Sequence, residues 1–370
     1  MKEFYQTAKV ISALLILAAS CITPVEPEFK FRDNIIFIDG YALTEEGKSS
    51  ISIQRSVLLN ERFYTEAVDG AKVLLINTMT SEEITCSISS DGLYLPPNDF
   101  KVEPEESWKL YIELADGRRF ESTPEVVSEG VTIDNIEATY SDEITFLEEE
   151  NKFVPGHSVS IDWTDPVKEE NFYLWKYKTY EPLIVCKTCE RGRFRNGECI
   201  QESNFRFRNF DYLCGVPCWL IRYNESFQIF DDELVDGESI SRPVAIVPFY
   251  RNQDILIEIQ QLSLNKESYQ YFDIINDILV ENSGLNAPPP AALAGNIVNA
   301  DDPSEVVLGQ FTATTSSTLT LYIDRSEITV PAINPETLPA LEDTTNPDHI
   351  IIAPCEEGRE RTSVKPAGWK

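Results

Sequence analysis

The chain has 370 residues, of which 42% are hydrophobic and 11% aromatic, enough apolar material to bury one or two cores of ~100 to 200 residues each. This composition excludes a disordered tail. The formal net charge of −31 at pH 7 argues against a nucleic-acid partner, because so acidic a surface repels phosphate backbones within a Debye length of ~8 Å.

The start of the sequence predicts an export signal. Lys2 and Lys9 make the first residues basic, and the apolar run over residues 10–20 is too short to span a bilayer, which takes ~20 apolar residues. Small residues then lead directly into Cys21, as a lipoprotein signal peptidase requires. Residues 1–20 are therefore predicted to be a removable lipoprotein signal peptide, and Cys21 the acylated membrane anchor. The alternative is an ordinary signal peptide that ends near a cysteine.

Residues 21–30 are acidic and proline-rich, which is typical of a short, extended tether. Acidic residues directly behind a lipidated cysteine resemble the surface-export signals of Bacteroidota lipoproteins, and a solvated linker is the alternative. The later sequence contains no second long apolar run, so the lipid alone is expected to hold the protein at the membrane.

Residues 31–127 are predicted to form a first β-sandwich. Short runs alternate at period two, and Gly, Asn, Asp and Ser separate them at about ten-residue spacing. Examples of these runs lie at residues 35–40, 50–55 and 71–77. Asp-Gly turns are expected at residues 91–92 and 116–117. The stretch over residues 68–94 resembles the prealbumin-like sandwiches of exported bacterial proteins, within the broader immunoglobulin-like class.

Residues 128–330 are predicted to form a second β-sandwich. Trp163 in one strand, an Asp-Pro turn at residues 165–166 and an aromatic strand at residues 171–177 resemble a fibronectin III-like sandwich. Aromatic side chains on both faces suit a central strand that is covered on each side. A carbohydrate-stacking platform is the alternative use for these aromatics.

One helix is predicted over residues 266–281. Its apolar residues recur at three- and four-residue steps, so one face is buried, and Asn265 can cap its start. The tail over residues 331–370 is proline-rich and charged, which predicts loose order.

A cysteine-rich insertion is predicted over residues 186–218. The disulfide candidates in it are Cys186, Cys189, Cys199, Cys214 and Cys218. Their spacing also suits a tetrahedral zinc site, but an exported chain meets an oxidising environment, so disulfides are predicted instead of a metal. Cys86 and Cys355 are further candidates. Seven thiols remain once Cys21 is acylated, so at least one is free or pairs elsewhere, and the connectivity stays open.

The same insertion is the basic part of an acidic chain. Phenylalanine and arginine alternate over residues 205–208, as in a half-buried strand with both guanidinium groups on one face. We therefore expect the insertion to contact a partner, and an ordinary loop with solvated charges is the alternative. The candidate contact residues are Arg191, Arg193, Arg195, Arg206 and Arg208.

Catalytic signatures are missing from the sequence. It holds two histidines and neither a nucleophile elbow, a phosphate loop, a dinucleotide fingerprint nor a His-Glu-x-x-His pair. Hydrolysis by two carboxylates needs no histidine and is compatible with the 62 acidic residues. The acidic pairs at residues 231–232 and 301–302 lack the spaced ligands of a calcium loop. We predict no enzyme activity, no metal and no cofactor.

Several motifs together resemble one family. They are the lipobox, the strand at 35–40, the aromatic runs at 163–166 and 171–175, the cysteine pairs, the helix around 269–272 and the segments 286–290 and 295–297. This combination resembles the Bacteroidota lipoprotein family catalogued as domain of unknown function 4249 (DUF4249). The resemblance implies an outer-membrane lipoprotein, often encoded beside a TonB-dependent transporter. It supplies neither catalytic residues nor a substrate.

Three functions follow from these expectations. The leading hypothesis is a non-enzymatic accessory or binding subunit of a TonB-dependent transporter complex, lipid-anchored in the outer membrane, facing the cell exterior and partnered by the β-barrel transporter. The second is a surface glycan-binding module or hydrolase, which burial of Trp163, Trp175 and Trp219 would weaken. The third is a structural or adhesive envelope protein.

Overall fold

The computed structural model describes most of the chain after the predicted tether. The described residues are 34–59, 62–148, 151–167, 170–202, 208–224, 228–281, 293, 295–334, 338–342 and 350–370. The predicted signal peptide, Cys21 and the predicted tether lie outside them. No helix within these ranges has both the length and the apolar character needed to cross a membrane. Because Cys21 lies outside the described residues, the lipid anchor stays a prediction.

The described chain is mainly β, as the sequence predicts. The first strands are β1 (Ile36–Leu43), β2 (Ser50–Leu59), β3 (Arg62–Ala67), β4 (Lys72–Asn77), β5 (Glu83–Ile88), β6 (Leu93–Leu95), β7 (Ser107–Glu113), β8 (Arg119–Ser122) and β9 (Glu125–Val126). In one layer β1 pairs with β2, and β2 pairs with β3 and β6. In the other, β4 pairs with β5 and β7, and β7 with β8 and β9.

Alternating side chains fill the core between these two layers. Trp108, Leu110 and Ile112 of β7 are buried while their neighbours are partly exposed, and Ile51 and Ile53 of β2 face them from the same core. A period of two places every second side chain on one face of a strand, so the alternation in the sequence defines this core.

Both predicted Asp-Gly turns occur in this part of the chain. Gly92 and Gly117 adopt φ values of +80° and +90°. Glycine reaches this region without the steric cost that a side chain brings, which explains its place in each turn.

The middle of the chain supplies the long strands. They are β10 (Asn135–Leu147), β11 (Lys152–Thr164), β12 (Phe172–Pro182), β13 (Val185–Glu190), β14 (Gly192–Arg195), β15 (Glu198–Gln201), β16 (Asn209–Cys214), β17 (Trp219–Tyr223) and β18 (Gln228–Asp231). The remaining elements are β19 (Ser239–Pro248), β20 (Ile255–Leu264), helix α1 (Lys266–Glu281), β21 (Ile297–Asn299), β22 (Val307–Leu308), β23 (Phe311–Ile323), β24 (Ile352–Ala353) and β25 (Arg361–Thr362).

A second pair of layers follows, in a sandwich-like arrangement. One layer holds β10, β11 and β19. In the other, β12 is central, because it pairs with β20 on one side and with β18 and β17 on the other. Trp163 of β11 packs on Trp175 of β12 with ring centroids 5.2 Å apart, and both rings are buried. The aromatic side chains of this strand pair thus serve the core.

Strand β23 joins the two pairs of layers. Its first residues pair in parallel with β1, from Phe311 opposite Gly40 to Thr314 opposite Leu43, and the following residues pair antiparallel with β20. β21 also returns to pair with β8. The described residues from Ile35 to Lys370 form one compact unit. The division at residue 127 stays a prediction, and these pairings cross it.

Helix α1 covers the junction between the two pairs of layers. It spans Lys266–Glu281, as predicted, and the Asn265 side chain caps it by accepting a hydrogen bond from the Ser268 N–H at 2.8 Å. Tyr271 and Phe272 of the helix pack against Leu43 of β1 and against Leu174 and Leu262 from the second pair of layers.

The described part of the tail is held more firmly than the sequence predicts. β24 pairs with β16, β25 pairs with β17, and Cys355 forms a disulfide with Cys218. The Trp369 ring also packs against Trp219 and Tyr322, at centroid distances of 6.2 and 5.3 Å. Composition predicted loose order, but a covalent link and a few backbone pairings outweigh a polar composition.

A glycine before β23 provides a test of this architecture. Gly309 has φ +122°, and a Cβ there would lie 1.9 Å from the Ile38 carbonyl oxygen of β1. Gly309→Ala should therefore push β22 and β23 away from β1, with a loss of about 3 kcal/mol or more in the free energy of unfolding. Urea unfolding followed by circular dichroism measures this loss.

Gly117→Ala is the matched control. Gly117 has φ +90°, and a Cβ added to it would meet no atom within 4 Å, so only the backbone strain of about 1 to 2 kcal/mol applies. Equal losses for the two variants would show that the close approach of Gly309 to β1 is wrong.

Candidate binding cleft

The inner face of β12 changes character along its length. Its inward side chains are, in order, Tyr173, Trp175, Tyr177, Thr179 and Glu181. The first two belong to the aromatic core, whereas the third lines a cleft and the last is a buried carboxylate. Alternation places all five on the same face, so the apolar core of the second pair of layers gives way to a polar site at one end.

This end holds a cleft of about 1080 Å³. One wall comes from β12 and β17, and the other from β19 and the residues after it. Its polar and aromatic lining includes Tyr177, Arg222, Tyr223, Tyr250, Arg359 and Glu360. The volume suits a small-molecule ligand, since such sites usually measure ~300 to 1000 Å³.

Arg222 enters the cleft from β17. It lies directly opposite Thr179 in the β12–β17 pairing, so the two side chains share the inner face. Its Nε donates to Oε2 of Glu181 at 3.4 Å, and its guanidinium lies 5.0 Å from the centroid of the Tyr250 ring. The contact with Glu181 uses Nε, and the Arg222 side chain lines the cleft.

Glu181 is shared by two arginines. Its Oε1 lies 3.7 Å from Nη1 of Arg325, which is buried two residues beyond β23 and lies 5.1 Å from the Phe249 ring centroid. Burial lowers the pKa of Arg325 to about 10, against the opposing effect of Glu181. Glu181 therefore faces two guanidinium groups, and Asp254, whose Oδ1 accepts a hydrogen bond from the Arg325 backbone N–H at 2.8 Å, adds a second negative charge beside Arg325.

Arg359 reaches the cleft from the tail. The segment that carries it is fixed by the Cys218–Cys355 disulfide, by the hydrogen bond from the Ile221 N–H to the Glu360 carbonyl at 2.8 Å, and by the β17–β25 pairing. Its guanidinium lies 5.3 Å from the Tyr223 ring centroid. Among the described residues, none places a carboxylate oxygen within 4.0 Å of the Arg359 guanidinium.

His157 is a buried base on β11, on the Arg325 side of the second core. Burial and the positive charge of Arg325 lower its pKa to about 4. Its ring lies 5.4 Å from the Tyr140 ring, and its Nδ1 has no hydrogen-bond partner among the described residues. The side chain is therefore neutral at pH 7.

Disulfides account for all five predicted cysteine candidates of the insertion. The bonds are Cys186–Cys214, Cys189–Cys199 and Cys218–Cys355. The sulfurs of Cys186, Cys214 and Cys218 lie within 4.8 Å of one another, but each belongs to a disulfide and lacks the thiolate that zinc requires. The disulfide interpretation is therefore confirmed over the zinc alternative.

Cys86 is the free thiol of the described chain. It is buried in the first core, and burial raises its pKa to about 12. A thiol in such a site carries almost no thiolate at neutral pH and is inert.

The predicted partner-contact arginines lie away from the cleft. Arg195 forms two hydrogen bonds to Glu342, at 2.8 and 2.7 Å, and Arg193 lies 3.8 Å from the same carboxylate. Arg191 and Arg208 are exposed, and Arg206 lies outside the described residues. Their contact with a partner stays a prediction, with part of the charge of Arg193 and Arg195 already matched within the chain.

Two of the functional residues come from different parts of the sequence. Arg222 lies just after the cysteine-rich insertion over residues 186–218, whereas Arg359 lies in the tail that the sequence predicts to be loose. The signal that could have found Arg359 is Cys355, four positions earlier, once its pairing with Cys218 is known.

Comparison with known proteins identifies one family. The model of the family described as Domain of unknown function (DUF4249) matches residues 22–320. Arg222 lies inside the matched region and Arg359 beyond it. No curated protein and no solved structure matches the chain.

Thiol counting tests the disulfides. For protein that begins at residue 22 and is secreted into an oxidising compartment, iodoacetamide should add nothing to the folded chain, because Cys86 is buried. Denaturation without reductant should give one adduct, and reduction should give seven. Intact-mass spectrometry makes the count. With Cys86→Ser, the denatured, unreduced chain should take none; three or more adducts in either protein before reduction would contradict the pairing.

Acid sensitivity tests His157. Its pKa in the folded state lies below that of a free histidine, so the unfolded chain takes up the proton first and stability falls as pH drops from about 6.5 to about 4. We expect this residue to cost about 2 kcal/mol of unfolding free energy between pH 7 and pH 5. His157→Phe should lose that part of the pH dependence in urea titrations. If the unfolding free energies of the two proteins change equally with pH, the lowered pKa of His157 is wrong.

Proposed function

Because the chain belongs to the DUF4249 family, we propose that it is a lipid-anchored outer-membrane protein that acts as a non-enzymatic binding subunit beside a TonB-dependent transporter. The lipid on Cys21 holds it at the cell surface, and the β-barrel transporter is its partner. The cleft between β17 and β19 is the place where a ligand is captured before transport. The observation that carries this proposal is the pair of incompletely matched arginines in that cleft.

The disulfides support the proposed location. Three bonds tie the cysteine-rich insertion to itself and to the tail. Stable disulfides form in exported proteins, whereas the cytosol keeps thiols reduced. The family match also begins at residue 22, directly after the predicted anchor cysteine, so the matched region starts where the mature chain is expected to start.

The lining of the cleft supports binding over hydrolysis. Glu360 is the one carboxylate among the lining residues that the structure describes, whereas hydrolysis by paired carboxylates takes two that face each other. Arginine and tyrosine side chains, which dominate the polar lining, hold ligands by hydrogen bonds and ring contacts. A capture subunit needs this chemistry.

The tryptophans argue against the glycan-binding alternative. Trp163, Trp175 and Trp219 have exposed fractions of 0%, 1% and 7%, so their faces are used for internal packing. A stacking platform needs exposed indole faces. A purely structural envelope protein, the third possibility, has no use for a polar cleft of this size.

Co-purification tests the proposal. Affinity-tagged protein extracted from the producing bacterium in mild detergent should bring with it one outer-membrane β-barrel, identified by mass spectrometry. Cys21→Ser is the matched control, because it removes the acylation site and should release the protein from the membrane without the barrel. Recovery of the wild-type chain alone, while other barrel complexes survive the same detergent, would contradict the partnership. Membrane retention of Cys21→Ser would contradict the anchor.

A further inference from the structure

The cleft concentrates positive charge on a strongly acidic protein. The chain carries a formal net charge of −31, yet two guanidinium groups and a single described carboxylate line this site. At physiological salt the distant acidic surface is screened beyond ~8 Å, so the charges within the cleft decide what binds there. These charges favour an anion.

Arg222 and Arg359 each contact a tyrosine ring, and this contact leaves guanidinium N–H donors available to a ligand. Arg222 and Arg359 lie over the faces of Tyr250 and Tyr223, at 5.0 and 5.3 Å. A cation–π contact of this kind uses the positive charge of the guanidinium and leaves its N–H donors for other partners. The fork of these donors matches the two oxygens of a carboxylate or phosphate.

The carboxylate beneath the cleft leaves part of the Arg222 guanidinium unused. Glu181 accepts from Nε of Arg222 at 3.4 Å and also lies 3.7 Å from the buried Arg325, beside which Asp254 supplies a second negative charge. Among the described residues, the two terminal nitrogens of Arg222 donate no hydrogen bond. An incoming anion can therefore accept from these nitrogens without displacing Glu181.

The remaining lining favours a ligand with an apolar body. Leu220, Val244 and Ile246 line the cleft beside the tyrosines, and Ile246 and Tyr223 keep 47% and 41% of their surfaces exposed. A bare inorganic ion would leave these surfaces in water, whereas a flat organic group would cover them.

We infer that the cleft binds small organic anions, compounds that carry a carboxylate or phosphate on a flat apolar body, with the anionic group held between Arg222 and Arg359. This inference rests on the proposed capture function and names its ligand class. Arg222 approaches from the sandwich and Arg359 from the tail, so the Cys218–Cys355 disulfide keeps the site complete.

Binding of a fluorescent organic anion tests the inference. The probe is anilinonaphthalene sulfonate, titrated into the folded full-length mature chain with its disulfides intact. Arg222→Gln and Arg359→Gln should each weaken its binding by about tenfold, the loss expected when one charge-assisted hydrogen bond is removed. Arg222→Gln leaves Glu181 and Arg325 as a one-to-one pair, so the fold should persist, and a circular-dichroism melt verifies this.

Arg55→Gln is the matched control. Arg55 pairs with Glu66 on the first pair of layers, so its loss changes the net charge equally, away from the cleft. It should leave the probe affinity unchanged. Phenyl phosphate and benzoate should both displace the probe, with the stronger of the two identifying the preferred anionic group, and neutral benzyl alcohol should not.

Three results would overturn the inference. They are equal weakening by Arg55→Gln, displacement by benzyl alcohol as effective as by the anions, and saturable probe binding that is indifferent to both cleft arginines. These outcomes are separable from failure of the proposed function, because co-purification with a β-barrel uses the wild-type chain and no added ligand. If the protein co-purifies with a β-barrel but binds no organic anion, the inferred ligand class is wrong and the proposed partnership still stands.

Discussion

The protein depends on the double pairing of β23. The first residues of this strand extend the first pair of layers beside β1, and the following residues extend the second beside β20. Gly309 permits this passage, because a Cβ at this position would lie 1.9 Å from the Ile38 carbonyl oxygen. Because one continuous strand belongs to both pairs of layers, the two pairs form one framework. Arg325, two residues beyond the strand, reaches Glu181 at the base of the cleft as a result.

The cleft follows from a change of residue type on one face of one strand. Along β12 the inward side chains pass from packed aromatics to Tyr177 and Thr179 and end at buried Glu181. A polar inner face cannot be closed by an apolar layer without leaving buried groups unpaired. The space stays open as a cleft that two arginines line, one from the neighbouring strand and one from a segment held by a disulfide. The same framework therefore contains both a packed core and a charged cleft.

Local sequence patterns were sufficient for much of the fold. Alternation predicted the strands of the β-rich chain, the 3.6-residue period predicted α1 with Asn265 as its cap, and the Asp-Gly pairs marked their turns. The cleft required long-range information that no local pattern contains. Cys218 and Cys355 are 137 positions apart, and their disulfide, together with the β17–β25 pairing, holds the polar tail as a wall that carries Arg359. The pairing of β21 with β8 is likewise not predicted by any local sequence pattern.

Joint binding of one anion by two arginines from distant parts of the chain can be observed in crystals soaked in p-bromobenzoate and measured at the bromine absorption edge. The bromine marks the ring, and the refined density places the carboxylate. We expect one bromine peak inside the cleft, with the carboxylate within hydrogen-bond distance of both Arg222 and Arg359. A well-diffracting crystal at saturating ligand, with an open and empty cleft and bromine peaks only elsewhere, would contradict it.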